Sequence, residues 1–193
     1  MLKFKKIRAF IIILILIMCM NSCASGRVAF GPQTGAYEIM LDDIYWDTMD
    51  SQSVHQVILL YREPYSTNHG ILLKIDYYSK SDMAGLSAPD FDSFIRLYKT
   101  FGEVADVYEH ENGSVRELTD IPTKSMKKIP AVSGRRQQVK ISYPNFESVT
   151  EFIYLETDDY YFAMVYGAEA SDFIRAQSIV DDVIKNLKIL KNA

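Results

Sequence analysis

The sequence predicts an α+β fold: an antiparallel β-sheet flanked by helices, in the order βββ-α-βββββ-α. Three observations carry that prediction. Short runs rich in Val, Ile, Tyr and Phe follow one another, separated by polar turns. Two segments change from strand-like to helical spacing, one near the middle and one at the end. The strands come in runs with the helices between and after them, which is the pattern of α+β and not of alternating βαβ units.

Tyr37–Trp46 reads as the first strand and Asp47–Ser53 as a polar turn. Val54–Arg62 (VHQVILLYR) is apolar and β-rich, and Glu63-Pro64 ends it. Ile71–Tyr78 (ILLKIDYY) completes a three-stranded meander. Ser87-Ala88-Pro89-Asp90 then opens a helix with Phe91, Phe94, Ile95, Tyr98 and Phe101 on one face, and Gly102 closes it. That aromatic stripe reads as a face docked on a sheet.

Glu103–Glu109 and Ser114–Leu118 flank Glu111-Asn112-Gly113, and Asn-Gly is a strong hairpin signal. Residues 119–136 form a long, proline-punctuated connection that is locally basic, with Lys124, Lys127, Lys128, Arg135 and Arg136. Gln137–Tyr143, Ser148–Glu156 and Tyr160–Tyr166 read as three further strands, with Asp158-Asp159 turning between the last two. Ser171-Asp172 introduces the final helix, with Phe173, Ile174, Ile179, Val180, Val183, Ile184 and Leu187 on its apolar face. Its last turn is rich in lysine, as the helix dipole favours. No internal repeat or second domain boundary is visible, so 37–193 is expected to be a single domain.

The leader is different in kind. Lys3, Lys5, Lys6 and Arg8 precede an unbroken apolar run from Ala9 to Met20. As a helix that run spans about 18 Å, short of a hydrocarbon core of about 30 Å. A short apolar run behind a basic start reads as an export signal over 1–22. An uncleaved anchor and simple cleavage with free secretion are the alternatives.

Met20-Asn21-Ser22-Cys23 resembles the lipobox of bacterial lipoproteins, with an apolar residue at minus three and a small one at minus one. The resemblance implies that Cys23 becomes the first mature residue and carries lipid on its thiol and amino group. Ser25–Ala36 is poor in periodicity, so 23–36 reads as a flexible tether. The expected location is the cell envelope, on the non-cytoplasmic side of a bacterial membrane. Ala24 lacks the acidic residue that retains some lipoproteins at an inner membrane.

Composition narrows the function classes. Both cysteines, Cys19 and Cys23, lie at the leader, which excludes a disulfide framework and any cysteine nucleophile or cysteine metal site in the domain. Four of the 21 basic residues and none of the 25 acidic ones precede Cys23, leaving 17 against 25, a formal charge of minus eight. An acidic chain of this kind is a poor nucleic-acid binder.

Catalytic and metal patterns are weak. His55, His69 and His110 have no metal-ligand spacing; a zinc site built from all three is the alternative to plain turn and strand histidines. The pairs Asp42-Asp43, Asp158-Asp159 and Asp181-Asp182 read as solvated charge. There is no GxSxG elbow or glycine-rich phosphate loop, and no cofactor is implied. Ser133-Gly134-Arg135-Arg136 is a candidate anion grip, because arginine forks match phosphate and carboxylate.

The element order resembles the PsbP/Mog1-like family. The resemblance is sharpest where Tyr160–Tyr166 leads into Phe173 and then Ile179–Leu187; Tyr45-Trp46 echoes an aromatic position after that family's first strand. It implies a central antiparallel sheet between helices over residues 37–190, and a binding or assembly module more than an enzyme. The expected partner is another envelope protein, with an envelope hydrolase or a small-ligand carrier as the rival readings.

Overall fold

The structure, a computed structural model, describes residues 26–49, 53–63, 70–119 and 133–190, with only the backbone described for 117–119. Its strands are β1 (Arg27–Phe30), β2 (Tyr37–Asp42), β3 (Trp46–Met49), β4 (Gln56–Tyr61) and β5 (Ile71–Ser79). Three short helices follow, α1 (Lys80–Gly85), α2 (Phe91–Tyr98) and α3 (Gly102–Tyr108). Then come β6 (Gly113–Thr119), β7 (Ser133–Ser142), β8 (Glu147–Glu156), β9 (Tyr160–Glu169), α4 (Phe173–Asn186) and β10 (Leu187–Ile189). This is the expected α+β class.

Seven strands make one antiparallel sheet in the order β3-β4-β5-β9-β8-β7-β6. At its centre lies the β8–β9 hairpin, apolar on both faces over Phe152–Leu155 and Tyr161–Met164. The turn is closed by Thr157, whose Oγ1 accepts from the Tyr160 N–H at 3.0 Å. A strand pair buried on both sides requires a layer on each.

On one face Ile153, Leu155, Phe162, Met164 and Tyr166 meet α4 and a second sheet, β1-β2-β10. On the other, Phe152, Tyr154, Tyr161 and Ala163 meet α1, α2 and α3. The helices have local reasons to form. Asp90 caps α2 by accepting from the Ser93 N–H at 2.7 Å, and Phe91, Phe94, Ile95 and Tyr98 recur at helical spacing. Phe94 stacks on Tyr161, with ring centroids 4.8 Å apart. α4 buries Ala176, Val180, Val183 and Ile184.

One charged group lies inside the α4 layer. Glu151 is fully buried and accepts from Tyr166 Oη at 2.7 Å, Gln138 Nε2 at 2.9 Å, Gln177 Nε2 at 3.1 Å and Arg136 Nη1 at 3.3 Å. Arg136 also reaches Asp181 on α4, so the cluster ties helix to sheet. Burial, and then Glu151, raise the Tyr166 phenol well above the ordinary tyrosine value, keeping it a donor.

Several expected elements are redrawn. Residues 27–36 are not tether: β1 pairs with β2, and Gly31 lies so close to the Tyr37 carbonyl that a Cβ would sit 2.4 Å from it. The expected first strand, 37–46, is two strands in different sheets, because 43–45 turn the chain from β2 into β3. The expected strand 103–109 is helix α3; Val104 buries and Tyr108 stacks on Phe152 at 4.6 Å, a spacing of four that a helix satisfies. Gly102 (φ +28°) therefore breaks α2 from α3 instead of ending helical structure.

Asn112-Gly113 consequently joins a helix to β6, whose partner is β7. Arg135 and Arg136 are in strand β7, not in a loop. The end of the last helix, Leu187, starts β10, which pairs with β2. Among the described residues no helix is long and apolar enough to cross a membrane.

The buried Glu151 cluster generates a stability prediction. Arg136→Met leaves that carboxylate short of its cation and should cost about 3 kcal/mol, read from urea unfolding by circular dichroism. Arg135→Met removes a surface pair with Asp92 and a cation over the Phe91 ring, and should cost about 1 kcal/mol. Equal losses from the two variants would contradict the assigned role.

Candidate functional site

The helical layer covers β5, β9, β8 and β7 but leaves the same face of β3 and β4 bare. Register shows what stands there. Met49, Ile58 and Lys74 form one cross-strand row, and Leu60 and Leu72 form the next. Leu72 is 44% exposed although it sits in mid-sheet, and Met49 is exposed as well. Phe101, Gly102, Glu103 and Val104, from the α2–α3 junction, form the opposite wall. Between them lies a groove of about 660 Å³. A smaller hollow of about 270 Å³ shares Ser53, Gln56 and Ile58 with it.

At the inner end of the groove is a second buried carboxylate, Asp76 of β5. Tyr98 of α2 donates its hydroxyl to Asp76 Oδ2 at 2.5 Å, and Gln56 of β4 donates Nε2 to Oδ1 at 2.8 Å. Lys74 Nζ lies 3.5 Å from Oδ2. Burial, and then the Asp76 charge, raise the Tyr98 phenol far above its ordinary value, so it remains protonated and donating. The same causes push Tyr78, beside it, up to about 12.

Chemically this is an apolar trough with a fixed polar end. Asp76 is held by two hydrogen-bond donors and the Lys74 cation, so it anchors α2 and the groove floor. Two carboxylates line the groove, Asp76 and Glu103, and Lys74 supplies a half-exposed cation. No group of three or more His, Cys, Asp or Glu suited to a metal occurs among the described residues.

The residues singled out in the sequence do not converge on this groove. Adjacent positions in β7 send Arg135 and Arg136 to opposite faces. Arg135 pairs with Asp92 at 2.9 Å and lies over the Phe91 ring, whereas Arg136 holds Glu151 and Asp181. They do not form one anion fork. Lys124, Lys127, Lys128, His69 and Cys23 lie outside the described residues. His55 packs edge-on to Tyr77, and His110 accepts from the Asn112 N–H at its turn, so neither joins the other. Asp181 is not merely solvated, since it pairs with Arg136; Asp182 pairs with Lys185 at 2.8 Å.

Sequence reasoning missed Asp76, Lys74, Gln56 and Tyr98. A signal was present: Lys74 and Asp76 are charged residues two apart inside the apolar run ILLKIDYY, which puts both on one face of a strand. Which residues complete that face depends on β4 and α2.

No family model and no curated protein matches the chain. Solved structures match by fold. A point mutant of Mog1 aligns with TM-score 0.52 at 8% identity, covering 86% of this chain and 97% of that one. The Ran-binding protein Mog1p of Saccharomyces cerevisiae aligns with TM-score 0.50 at 7% identity, over 86% and 96%. A cyanobacterial PsbP from Synechocystis aligns with TM-score 0.48 at 9% identity, over 86% and 94%. The domain has the fold of the Mog1 structures, the PsbP/Mog1-like arrangement expected from the order of its elements.

The raised phenols predict an alkaline limit. A folded-state pKa above the unfolded value means that the native state holds protons the unfolded chain releases. That contribution is complete below about pH 10 and is lost above it. Phenolate absorbance and loss of circular dichroism should therefore rise together between about pH 10 and 12. Tyr98→Phe, which takes a donor from buried Asp76, should cost about 1–3 kcal/mol in urea unfolding at neutral pH; an unchanged midpoint would contradict the anchoring role.

Proposed function

We infer that this protein is a lipoprotein tethered to a bacterial envelope membrane through Cys23, with a non-catalytic domain that binds another envelope protein. The observation that carries the binding reading is the uncovered sheet face over β3 and β4. Exposed Leu72 in mid-sheet and exposed Met49 on the edge strand, with Ile58 and Leu60 between them, lie beside a trough that includes Lys74 and Asp76. A contiguous apolar face rimmed by polar groups suits a protein segment. Among the described residues β3 pairs only with β4, so its outer edge is available to an extended chain.

A fold alone does not assign a function. The Mog1-like fold nevertheless carries protein binding in the yeast Ran-binding protein, which is consistent with this reading. Lys124, Lys127 and Lys128 remain partner-contact candidates on their charge. The lipid anchor is supported by the basic, short apolar leader ending in Met20-Asn21-Ser22-Cys23.

Two measurements test the two halves. A photo-crosslinking residue at Leu72 should capture a specific protein in native envelopes, and one at Leu86, exposed just after α1 and outside the groove lining, should not. Capture at neither site, or of the same set at both, would sink the binding reading. Small molecules co-purifying in native mass spectrometry would move it to a carrier. Separately, Cys23→Ser should release the protein from the membrane fraction, and retention there would refute the anchor.

A further inference from the structure

We propose that the end of the domain nearest Cys23 is a membrane-contacting face, which rests exposed apolar side chains in the headgroup region of the bilayer. This rests on the Cys23 anchor inferred above. The Gly26 carbonyl accepts from the Asp43 N–H at 3.2 Å, and Arg27 pairs with Asp42 in the β1–β2 ladder, so the chain is held to the domain from Gly26 onward. Gly26 follows Cys23 by three residues. Fully extended, that span is at most about 10 Å, far less than the 14 residues of 23–36 would allow. A domain held so closely has no freedom to stand away from the surface, and the end carrying Gly26 faces it.

Strand register identifies what shares that end. Gly26 adjoins the 43–45 turn, which leads into Trp46, and Trp46 pairs with Tyr61, which pairs with Ile71. β5 is antiparallel to β9, so the start of β5 lies at the end of β9, where Glu169 pairs with Ser148. Ser142 pairs with Glu147 at the neighbouring turn. The 43–45 turn, the β7–β8 turn at 143–146 and the first turn of α4 therefore lie at one end of the molecule. Arg175, in that first turn, reaches back to Glu63 just after β4.

These three turns carry exposed large apolar residues. Ile44 is 52% exposed, Phe146 48% and Ile174 78%, with Tyr45 and Tyr143 exposed beside them. Tyr143 and Phe146 stack at 4.6 Å, so the tip is a rigid aromatic pair. Tyrosine rings, with an apolar body and a polar end, suit the membrane–water interface. Attraction to anionic lipid is not the driving force. Glu147 is paired with Lys140, and both Glu63 and Asp172 with Arg175, which leaves this end without a basic excess. Contact is apolar, made obligatory by the short link and not by charge.

The test uses the full chain, produced in a bacterium that processes lipoproteins and reconstituted into phosphatidylethanolamine vesicles. A water-soluble carbene reagent labels exposed side chains, read by mass spectrometry with the vesicle-free protein as reference. Ile44, Phe146 and Ile174 should lose at least about threefold of their labelling on vesicles, and raised salt should not restore it. Leu86 and Val54, at the opposite end, should be unchanged. The doubly substituted I44D/F146D protein should still float with vesicles but regain labelling at Ile174. Equal labelling at both ends of an acylated, floating protein overturns the membrane face alone. Protection present in native envelopes but absent on vesicles also overturns it, in favour of a protein cover. Absence of acyl mass on Cys23 overturns both this and the anchor.

Discussion

The β8–β9 hairpin is the constraint on which the molecule depends. Its residues from Phe152 to Leu155 and from Tyr161 to Met164 are apolar on both faces, so neither face can be left to water. One side takes α4 and the small sheet; the other takes the three short helices. Everything else in the architecture, including the position of the groove, follows from how those two layers reach across a seven-stranded sheet.

Charge inside such a sheet has to be tied down, and here each tie also docks a helix. Glu151 projects toward α4 and is met by Gln177 directly and by Arg136, which bridges to Asp181. Asp76 projects toward the other layer and is met by Tyr98 of α2. A buried carboxylate without its donors is costly, whereas two apolar residues in the same place would fit more than one helix position. The two carboxylates thus give each layer a defined seat. The second tie has a further consequence: it fixes α2 over β5, so that the helical layer stops short of β3 and β4.

Stopping short leaves an exposed apolar face at one edge of the sheet, and the turns at the end that carries Gly26 hold another exposed apolar surface. The two are separate parts of the molecule with separate chemistry. The first combines aliphatic rows with Lys74 and Asp76, as a groove for a polypeptide segment would. The second consists of aromatic and aliphatic side chains on turns. With the proposed anchor at Cys23, the second surface would meet the membrane and the first would stay free.

The class of fold was legible because strand runs and the two amphipathic helices signal through local periodicity, which each segment carries for itself. Phe91, Phe94, Ile95 and Tyr98 announced α2, and Val180, Val183 and Ile184 announced α4. Segments whose pattern settles neither period were not legible. Glu103–Glu109 is short, flanks the Asn-Gly hairpin signal, and becomes a helix because Val104 and Tyr108 both find the sheet. Arg27–Phe30 shows no pattern and becomes a strand because β2 offers it an edge.

The candidate site divides in the same way. The proposed export signal ending at Cys23 is a linear pattern carried by one segment, so sequence alone speaks to it. Lys74 and Asp76 were marked as unusual by their place in an apolar strand. Their partners Gln56 and Tyr98, like the separation of Arg135 from Arg136, were decided only in three dimensions: hydrogen-bond partners and strand faces are set by which chain segments pack together, and no single segment contains that information.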